Sequence, residues 1–549
     1  MVRAYHGDNF DDVAPSPAAH GATGVPANVA GPPGLLGALA HGWRGCSTWF
    51  AAGWRTWTLG GLVLLGLAAM GYYLSWWRHG GRLATPWLAF ALACAAFYNW
   101  FQVIGQWLLY LCARRRPAPP SRPAGLTVDV FVTACGEPLP LIERALSAAV
   151  VMRGAHRTWL LDDGAEPACE RLAAQLGAGY LVRTGRKDAK AGNLNAALAR
   201  TTGDVVAIFD IDHAPAPAFL ERSIGYFADP AVGFVQVMLT FCNSAQSWVA
   251  RAAAESTLDF YNPTSMGADG LGCATLIGSN ALIRRTALES IGGYQPGLAE
   301  DLMTSLALHA AGWRSVYVAE PLAPGLAPPD LAAWFTQQLK WARGVFELLL
   351  IAYPRLFLRL TWRQRVVYGV RMTYYWIGPV AAVHIFFVAA LLLAGSRVAQ
   401  VNFHQYLIHL VPLGIMMVVI RQVALNFWRH PTTPQTPLWR ATALVYATWP
   451  VYALAWLLAV LRVPLAFRPT PKVAGGQLNP LWLLPQLAAL VVLSGGIAYS
   501  LTFAHESRPL LVLGFGLAQA VCHALLLRQA FSGARVAADS PQVGIEATR

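Results

Sequence analysis

The chain has 549 residues, of which 56% are hydrophobic and only 13% charged, where a soluble domain carries about 25% charged residues. That balance, with 21 Trp, excludes a purely soluble enzyme and calls for an integral membrane protein that also has a soluble part. The net charge of +13 gathers beside apolar runs, as in Arg114-Arg115-Arg116, which points to anionic lipid headgroups and membrane topology and away from nucleic acid. Eight cysteines (46, 94, 112, 135, 169, 242, 273, 522) show no C-x-x-C spacing and are predicted to be buried thiols, with no disulfide framework or zinc site.

Residues 1–40, rich in Gly, Ala and Pro, are expected to be a disordered tail. Asp8, Asp11 and Asp12 and the lack of an apolar core argue against a signal peptide. Residues 41–56 mix Trp43, Trp49, Phe50 and Trp54 with Arg44 and Arg55, which suits a helix at the membrane interface. Spans follow at 57–77 and 86–112, with Arg78 and Arg82 between them and Arg114, Arg115, Arg116 and Arg122 after. The heavier basic cluster marks the cytoplasmic side. Past a linker at 117–123, residues 124–345 alternate short β-like runs with helical segments, as one soluble α/β domain does. Strands are predicted at 128–132, 158–161, 179–183, 205–209, 232–238 and at 276–277 with its neighbours. Residues 346–528 hold interfacial segments and spans at 374–395, 405–427, 478–500 and 508–528. The stretch 441–462 fits either a further span or an interfacial helix; Arg429 and Arg440 before it and Arg462 and Arg468 after it favour both ends being cytoplasmic. That gives six spans with both termini inside, and a tail at 529–549 too short for another domain.

The strand predicted at 205–209 runs into Asp210-Ile211-Asp212-His213. Side chains two apart on a strand share a face, and two carboxylates on one face titrate upward unless a cation joins them. Mg²⁺ or Mn²⁺ meets that need, and such ions commonly bring phosphates. The triplet equally fits an Asp-rich turn capping a helix. Asp162-Asp163-Gly164 ends another strand, where a carboxylate can accept from a nucleotide's base or ribose, or simply form a turn. In Asp188-Ala189-Lys190-Ala191-Gly192-Asn193, Lys190 could approach a base or phosphate over a permissive backbone; a polar helix start reads the same way. Asp301, after Ala299-Glu300, is a candidate general base at a pocket rim or a helix-start acid favoured by the macrodipole. In the stretch from Gln337 to Gly344, Lys340 or Arg343 could hold a diphosphate and Trp341 could stack on a sugar ring, or the group is an interfacial belt.

In this order and spacing, D-D-G, A-K-A-G-N, D-x-D-H, E-D, Q-x-x-K-W and F-x-x-T-x-K, the chain resembles the processive family 2 glycosyltransferases, and among them bacterial cellulose synthase catalytic subunits. The resemblance covers about residues 60–530 and includes Phe131-Val132-Thr133-Ala134-Cys135-Gly136-Glu137-Pro138, Gln236 and Gly312-Trp313. It implies an α/β GT-A domain inserted between transmembrane helices, facing the cytoplasm at the bacterial inner membrane. Glu137, Asp163 and Lys190 would contact the uridine part of a UDP-sugar. Asp210 would touch the nucleotide diphosphate and, with Asp212, hold Mg²⁺ or Mn²⁺. Asp301 matches the acid that deprotonates the acceptor hydroxyl. Gln337 and Trp341 match Q-x-x-R-W, whose Trp supports the acceptor sugar at the channel mouth. Phe467, Thr470 and Lys472 match a gating loop that closes over the donor. The implied reaction inverts the anomeric carbon, so an α-linked donor gives a β-linked polymer, which leaves through the membrane helices.

The chain departs from the family's pattern in four places. Lys340 stands for the family Arg and keeps the charge without the bidentate fork. Pro469 and Pro471 stiffen the gating loop. Ala299 replaces the Thr before E-D. No PilZ domain follows, so direct cyclic-di-GMP gating is not expected. A cellulose-like β-glucan made from UDP-glucose is the leading expectation. A β-1,3-glucan or amino-sugar polymer is the alternative, and a catalytically dead export or scaffold subunit is disfavoured because Asp210, Asp212 and Asp301 are all present. Expected partners are the donor, the growing polysaccharide and the bilayer. A periplasmic accessory subunit is admitted, and no nucleic acid is expected.

Overall fold

The computed structural model describes residues 53–539 apart from 80, 84–85, 396–397, 434–435, 467–468, 477 and 504–509. The expected tail at 1–40, most of the segment 41–56, Cys46, Phe467 and Arg468 lie outside the described residues.

The sheet is built around its most apolar strand. We label its strands β1 (Val128–Ala134), β2 (Arg157–Asp162), β3 (Gly179–Leu181), β4 (Val205–Asp210), β5 (Val232–Phe241), β6 (Ala281–Arg284) and β7 (Arg314–Gly325). They lie in the order β3-β2-β1-β4-β6-β5-β7. All neighbours are parallel except β6, which runs antiparallel to both β4 and β5. Val205 to Phe209 of β4 are buried on both faces, as an interior strand covered by helices requires. Alternation sorts them: Val205, Ala207 and Phe209 join Leu141, Ile142 and Leu146 on one face, while Val206 and Ile208 join Leu194, Leu302 and Leu306 on the other. Each such fully buried side chain contributes roughly 1.5–3 kcal/mol.

Two strand expectations change. Leu276 and Ile277 are not a strand: their N–H groups donate to side chains, Ser305 Oγ at 2.7 Å and Gln236 Oε1 at 2.9 Å. The chain turns through Gly278 (φ 86°) and Asn280 (φ 56°) before β6 begins at Ala281. β7 was not foreseen, because its second half, Glu320-Pro321-Leu322-Ala323-Pro324-Gly325, carries two prolines. It is an edge strand, where a missing N–H is tolerated. The cysteines also differ from expectation. Among the described ones only Cys169 and Cys273 are buried, while Cys94, Cys135 and Cys242 are exposed; all seven are free thiols.

Six described helices are long and apolar enough to cross a membrane: Trp54–Trp77, Pro86–Cys112, Trp362–Ala394, His404–Trp428, Pro480–Thr502 and Leu510–Ala530. Trp54 and Arg55 belong to the first of these and not to a separate interfacial helix. The stretch expected at 441–462 is two helices, Trp439–Ala447 and Trp449–Val460, bent by 43° across Thr448. Arg440 Nη2 of its first half lies 2.5 Å from Glu255 of the soluble part. Its second half packs Tyr452, Ala455 and Ala459 on Ala342 and Phe346. The helix Trp362–Met372 shares a core with Leu306 and Leu308 of the soluble domain, so the two parts are joined by a common apolar interior.

Candidate active site

Asp210 is the last residue of β4, and the alternation of that strand aims it to the same side as Val206 and Ile208. That is also the side of the helices Ala189–Leu198 and Glu300–Ala310. Lys190 takes advantage of this placement. Its ammonium pairs with the Asp210 carboxylate and donates to the Gly278 carbonyl at 2.6 Å. Gly278 has φ 86°, and a Cβ there would meet Asp301 Oδ2 at 3.5 Å. One glycine thus separates the β4 acid and its lysine from the acid of the E-D pair.

Glu300 and Asp301 form the first turn of their helix, where acids are favoured by the macrodipole. Leu302 N–H donates to Asp301 Oδ1 at 2.7 Å, leaving Oδ2 toward the cavity. Burial pushes the Asp301 carboxyl up, with Arg371 opposing. Glu300 is pushed up to about 7 by burial and by the Asp301 charge beside it.

Asp212 lies beyond the strand and is 2% exposed. Its Oδ2 is 2.9 Å from Lys472 Nζ and accepts from Leu326 N–H at 3.3 Å. Burial opposes its charge, yet Lys472 and His213 hold its carboxyl well below the usual range. Oδ1 of Asp212 and both ring nitrogens of His213 are buried without a hydrogen-bond partner. Ligand atoms of Asp210, Asp212 and His213 lie within 4.8 Å of one another. A Cβ at Gly325 would sit 2.5 Å from His213 Nε2, so only glycine leaves that ring its place. Two carboxylates and an imidazole whose ring nitrogens have no other hydrogen-bond partner fit a divalent cation. His213 was passed over as a ligand in the sequence, although it adjoins the D-x-D.

The D-D-G turn divides its labour. Asp162 closes the turn, accepting from Gly164 N–H at 2.7 Å and Glu166 N–H at 2.9 Å. Asp163 makes a bidentate pair with Arg183, at 2.7 and 2.8 Å. Arg183 also donates to the carbonyls of Lys187 (2.6 Å) and Ala189 (2.7 Å), across residues Asp188 and Ala189 held at φ 60° and 44°. Nothing in the sequence marks Arg183, because its partner follows a different strand. Glu137 Oε2 accepts from Cys135 N–H at 2.6 Å, and burial raises its carboxyl.

The helix Leu331–Glu347 carries Gln337, Lys340, Trp341 and Arg343. Asp330 caps it through Ala333 N–H at 2.9 Å, and also accepts from Gly475 N–H at 3.1 Å. The cap therefore ties down the loop that bears Thr470 and Lys472. Burial lowers the Lys340 ammonium, with Lys472 and Lys190 adding to the effect. Arg343 is taken up by Glu347 (2.7 Å) and the Val463 carbonyl (3.1 Å). A single cavity of about 2060 Å³ is lined by Glu137, Asp163, Lys190, Asp210, Asp212 and Asp301, and by Gln337, Lys340, Trp341, Arg343, Thr470 and Lys472. Its wall continues to Gln102, Gln106, Arg371, Tyr374 and Arg421 on the membrane-length helices. Every candidate residue among those described thus faces one space.

Residues 123–344 match the family described as Glycosyltransferase like family 2, and residues 284–444 match Cellulose synthase. Cellulose synthase 1 of Komagataeibacter xylinus is 30% identical over 440 residues, covering 74% of this chain and 27% of that protein. Cellulose synthase catalytic subunits [UDP-forming] of Xanthomonas axonopodis pv. citri and Pseudomonas fluorescens are 33% and 31% identical, covering 58% and 61% of this chain and 46% and 48% of their own length. The chain spans less than half the length of these relatives. Among solved structures, a mannosyltransferase from Pyrobaculum calidifontis in complex with GDP-Man and Mn²⁺ is 20% identical with TM-score 0.46, covering 67% of this chain and 98% of that one, a likeness too slight to carry an argument. With its mixed sheet flanked by helices, the soluble part is a GT-A-like α/β domain that matches the family 2 glycosyltransferases, and residues 284–444, which run on into the membrane-length helices, match the cellulose synthases.

Proposed function

We propose that this protein is a processive inverting glycosyltransferase that joins a UDP-sugar, UDP-glucose first among donors, into a β-linked, cellulose-like chain and passes it through the membrane. The single observation behind this reading is the continuity of one cavity from the acids around Asp210, Asp212 and Asp301 to the apolar helices. Glu137, Asp163 and Lys190 hold the uridine end. Asp301 Oδ2 takes the proton of the acceptor hydroxyl, which attacks the anomeric carbon from the face opposite the diphosphate. Lys190, Lys340 and Lys472 balance the charge that grows on the leaving group. No protein nucleophile is needed. Asp210, Asp212 and His213 would hold a divalent cation, Mg²⁺ or Mn²⁺, which supplies Lewis-acid stabilisation of that same charge. Trp341 supports the acceptor ring through its flat apolar face.

On this reading the soluble domain faces the cytoplasm of a bacterial cell and the spans cross the inner membrane. The loop with Thr470 and Lys472 lies on the donor side and closes over the bound nucleotide. A periplasmic subunit that receives the polymer is compatible with this arrangement. Purified full chain in lipid nanodiscs, supplied in turn with UDP-glucose, UDP-N-acetylglucosamine and UDP-galactose and a divalent cation, tests it. UDP release together with a β-linked polymer, identified by linkage analysis, is the expected result. UDP-sugar hydrolysis without polymer, or no turnover with any donor, would overturn it.

A further inference from the structure

A cation that the reaction above leaves unused borders the cavity from the membrane part. Arg371 belongs to the helix Trp362–Met372, which opens the span Trp362–Ala394. A guanidinium on a membrane-length helix is costly without a partner or a polar passage, and it marks a functional residue whose partner has to be named. The Arg371 hydrogen bond goes to a neutral group, the Thr275 hydroxyl. Its guanidinium also lies 4.7 Å from the centre of the Phe260 ring. Arg371, Thr275 and Phe260 line the cavity together with Gly278 and Asp301.

A set of contacts holds this group against the helix that begins with Glu300 and Asp301. Ser305 Oγ donates to the Asp301 carbonyl at 2.9 Å and accepts from Leu276 N–H at 2.7 Å. The segment after Thr275 is thereby fastened to the first turn of that helix. Gly278, at the far end of the segment, adjoins Asp301 Oδ2. The hydroxyl of Tyr368, one turn before Arg371, lies 2.7 Å from His309 Nδ1 of the same helix. Val367, Val370 and Met372 share a core with Leu302, Met303 and Leu306. Arg371 and Asp301 thus face one space from two elements that are packed and hydrogen-bonded together.

A half-buried carboxylate resists ionisation, and a cation nearby favours it. The other charges around Asp301 give little of that help. Glu300 on its own helix and Asp210 at the end of β4 repel its charge, and Lys190 on the helix Ala189–Leu198 is paired with Asp210. Lys340 acts on Glu300. Tyr261, Tyr294 and Tyr375 complete the surroundings with hydroxyls that carry no charge at neutral pH. Arg371 is the strongest charge acting in favour of the Asp301 carboxylate. We infer that Arg371 is a positioning residue for the transfer step: reaching in from the membrane part, it keeps the Asp301 carboxylate ionised and ready to take the acceptor's proton. The inference rests on the reading that Asp301 is the general base. It makes that base depend on how the span sits against the soluble domain.

Full chain in nanodiscs is compared with Arg371→Gln and Arg371→Lys by two measurements. Infrared difference spectra, each taken against the same protein carrying Asp301→Asn, follow the protonation of this one carboxyl as pH is varied. Arg371→Gln is expected to move the midpoint up by about 1–3 pH units, and Arg371→Lys to bring it most of the way back. UDP release from UDP-glucose should follow the same order. The Arg371→Gln deficit should be several-fold on the acid side and close as pH rises, with the KM for UDP-glucose little changed. Thr275→Val keeps the charge and removes the hydroxyl that orients it. It should shift the midpoint the same way by less, and it serves if Arg371→Gln does not fold. An unmoved midpoint in the folded variant, or a deficit of one size at every pH, would overturn the inference and leave Arg371 a packing residue. If the unaltered protein turns over no donor, the proposed function fails on its own, and the infrared midpoint alone decides the role of Arg371.

Discussion

Lys472 Nζ lies 2.9 Å from Asp212 Oδ2, so the loop that follows the helix Trp449–Val460 delivers a cation to the end of the central strand. The lysine sits where a divalent ion would draw on the same carboxylate, and the two compete for it. Lys472→Met should therefore lower thermal stability in EDTA, since a carboxylate that is 2% exposed loses its counter-charge. Added Mn²⁺ should recover more stability in the variant than in the unaltered protein, as followed by tryptophan fluorescence on heating. Equal Mn²⁺ stabilisation of both would show that lysine and ion do not share Asp212.

Asp301 is held by the Leu302 N–H through one oxygen, with the other toward the cavity. Asp301→Asn keeps that hydrogen-bond acceptor and removes the base. Polymer formation should fall by roughly 10²–10⁴-fold, while UDP affinity, measured by calorimetry, changes little. Retained synthesis would reassign the base.

Much of this arrangement is legible in the sequence, for a physical reason. The apolar run at 205–209 and the acids after it are consecutive, so strand, strand end and carboxylates announce one another. The partners that come from other elements are silent. Arg183 meets Asp163 across two strands, Gly278 sits between Lys190 and Asp301, and the Arg421–Asp259 approach joins residues more than 150 positions apart. The misplaced strand at 276–277 has a similar cause: Leu276 is buried as expected and Ile277 partly so, but side chains take up the N–H groups a strand would have paired.

Glu300 titrates near neutrality, pushed up to about 7 by burial and the adjacent Asp301 charge. Its charge in turn makes Asp301 harder to ionise and a stronger base. As pH falls through that value, Glu300 takes a proton, the repulsion is relieved and Asp301 weakens, so the polymerisation rate should decline on the acid side well above the ordinary carboxylate range. Glu300→Gln is neutral at every pH. Its rate at pH about 8 should resemble that of the unaltered protein at pH about 6, and the profile between them should flatten. An acid limb unchanged by the substitution would remove Glu300 from the titration.

Arg183 binds two parts of the cavity wall at once, the Asp163 carboxylate and the carbonyls of Lys187 and Ala189. Both charged side chains are almost enclosed, at 9% and 6% exposure. Removing one partner of a buried pair costs roughly 3–5 kcal/mol, whereas replacing both by apolar groups recovers much of it. Arg183→Met should therefore lower the thermal midpoint more than the double variant Arg183→Met with Asp163→Leu. Donor binding separates the two roles. The double variant regains stability and still binds UDP weakly, because it has lost the carboxylate proposed to meet the uridine, and because the Lys187 and Ala189 carbonyls no longer share a guanidinium. Recovery of UDP affinity along with stability would mean that Asp163 serves the fold alone.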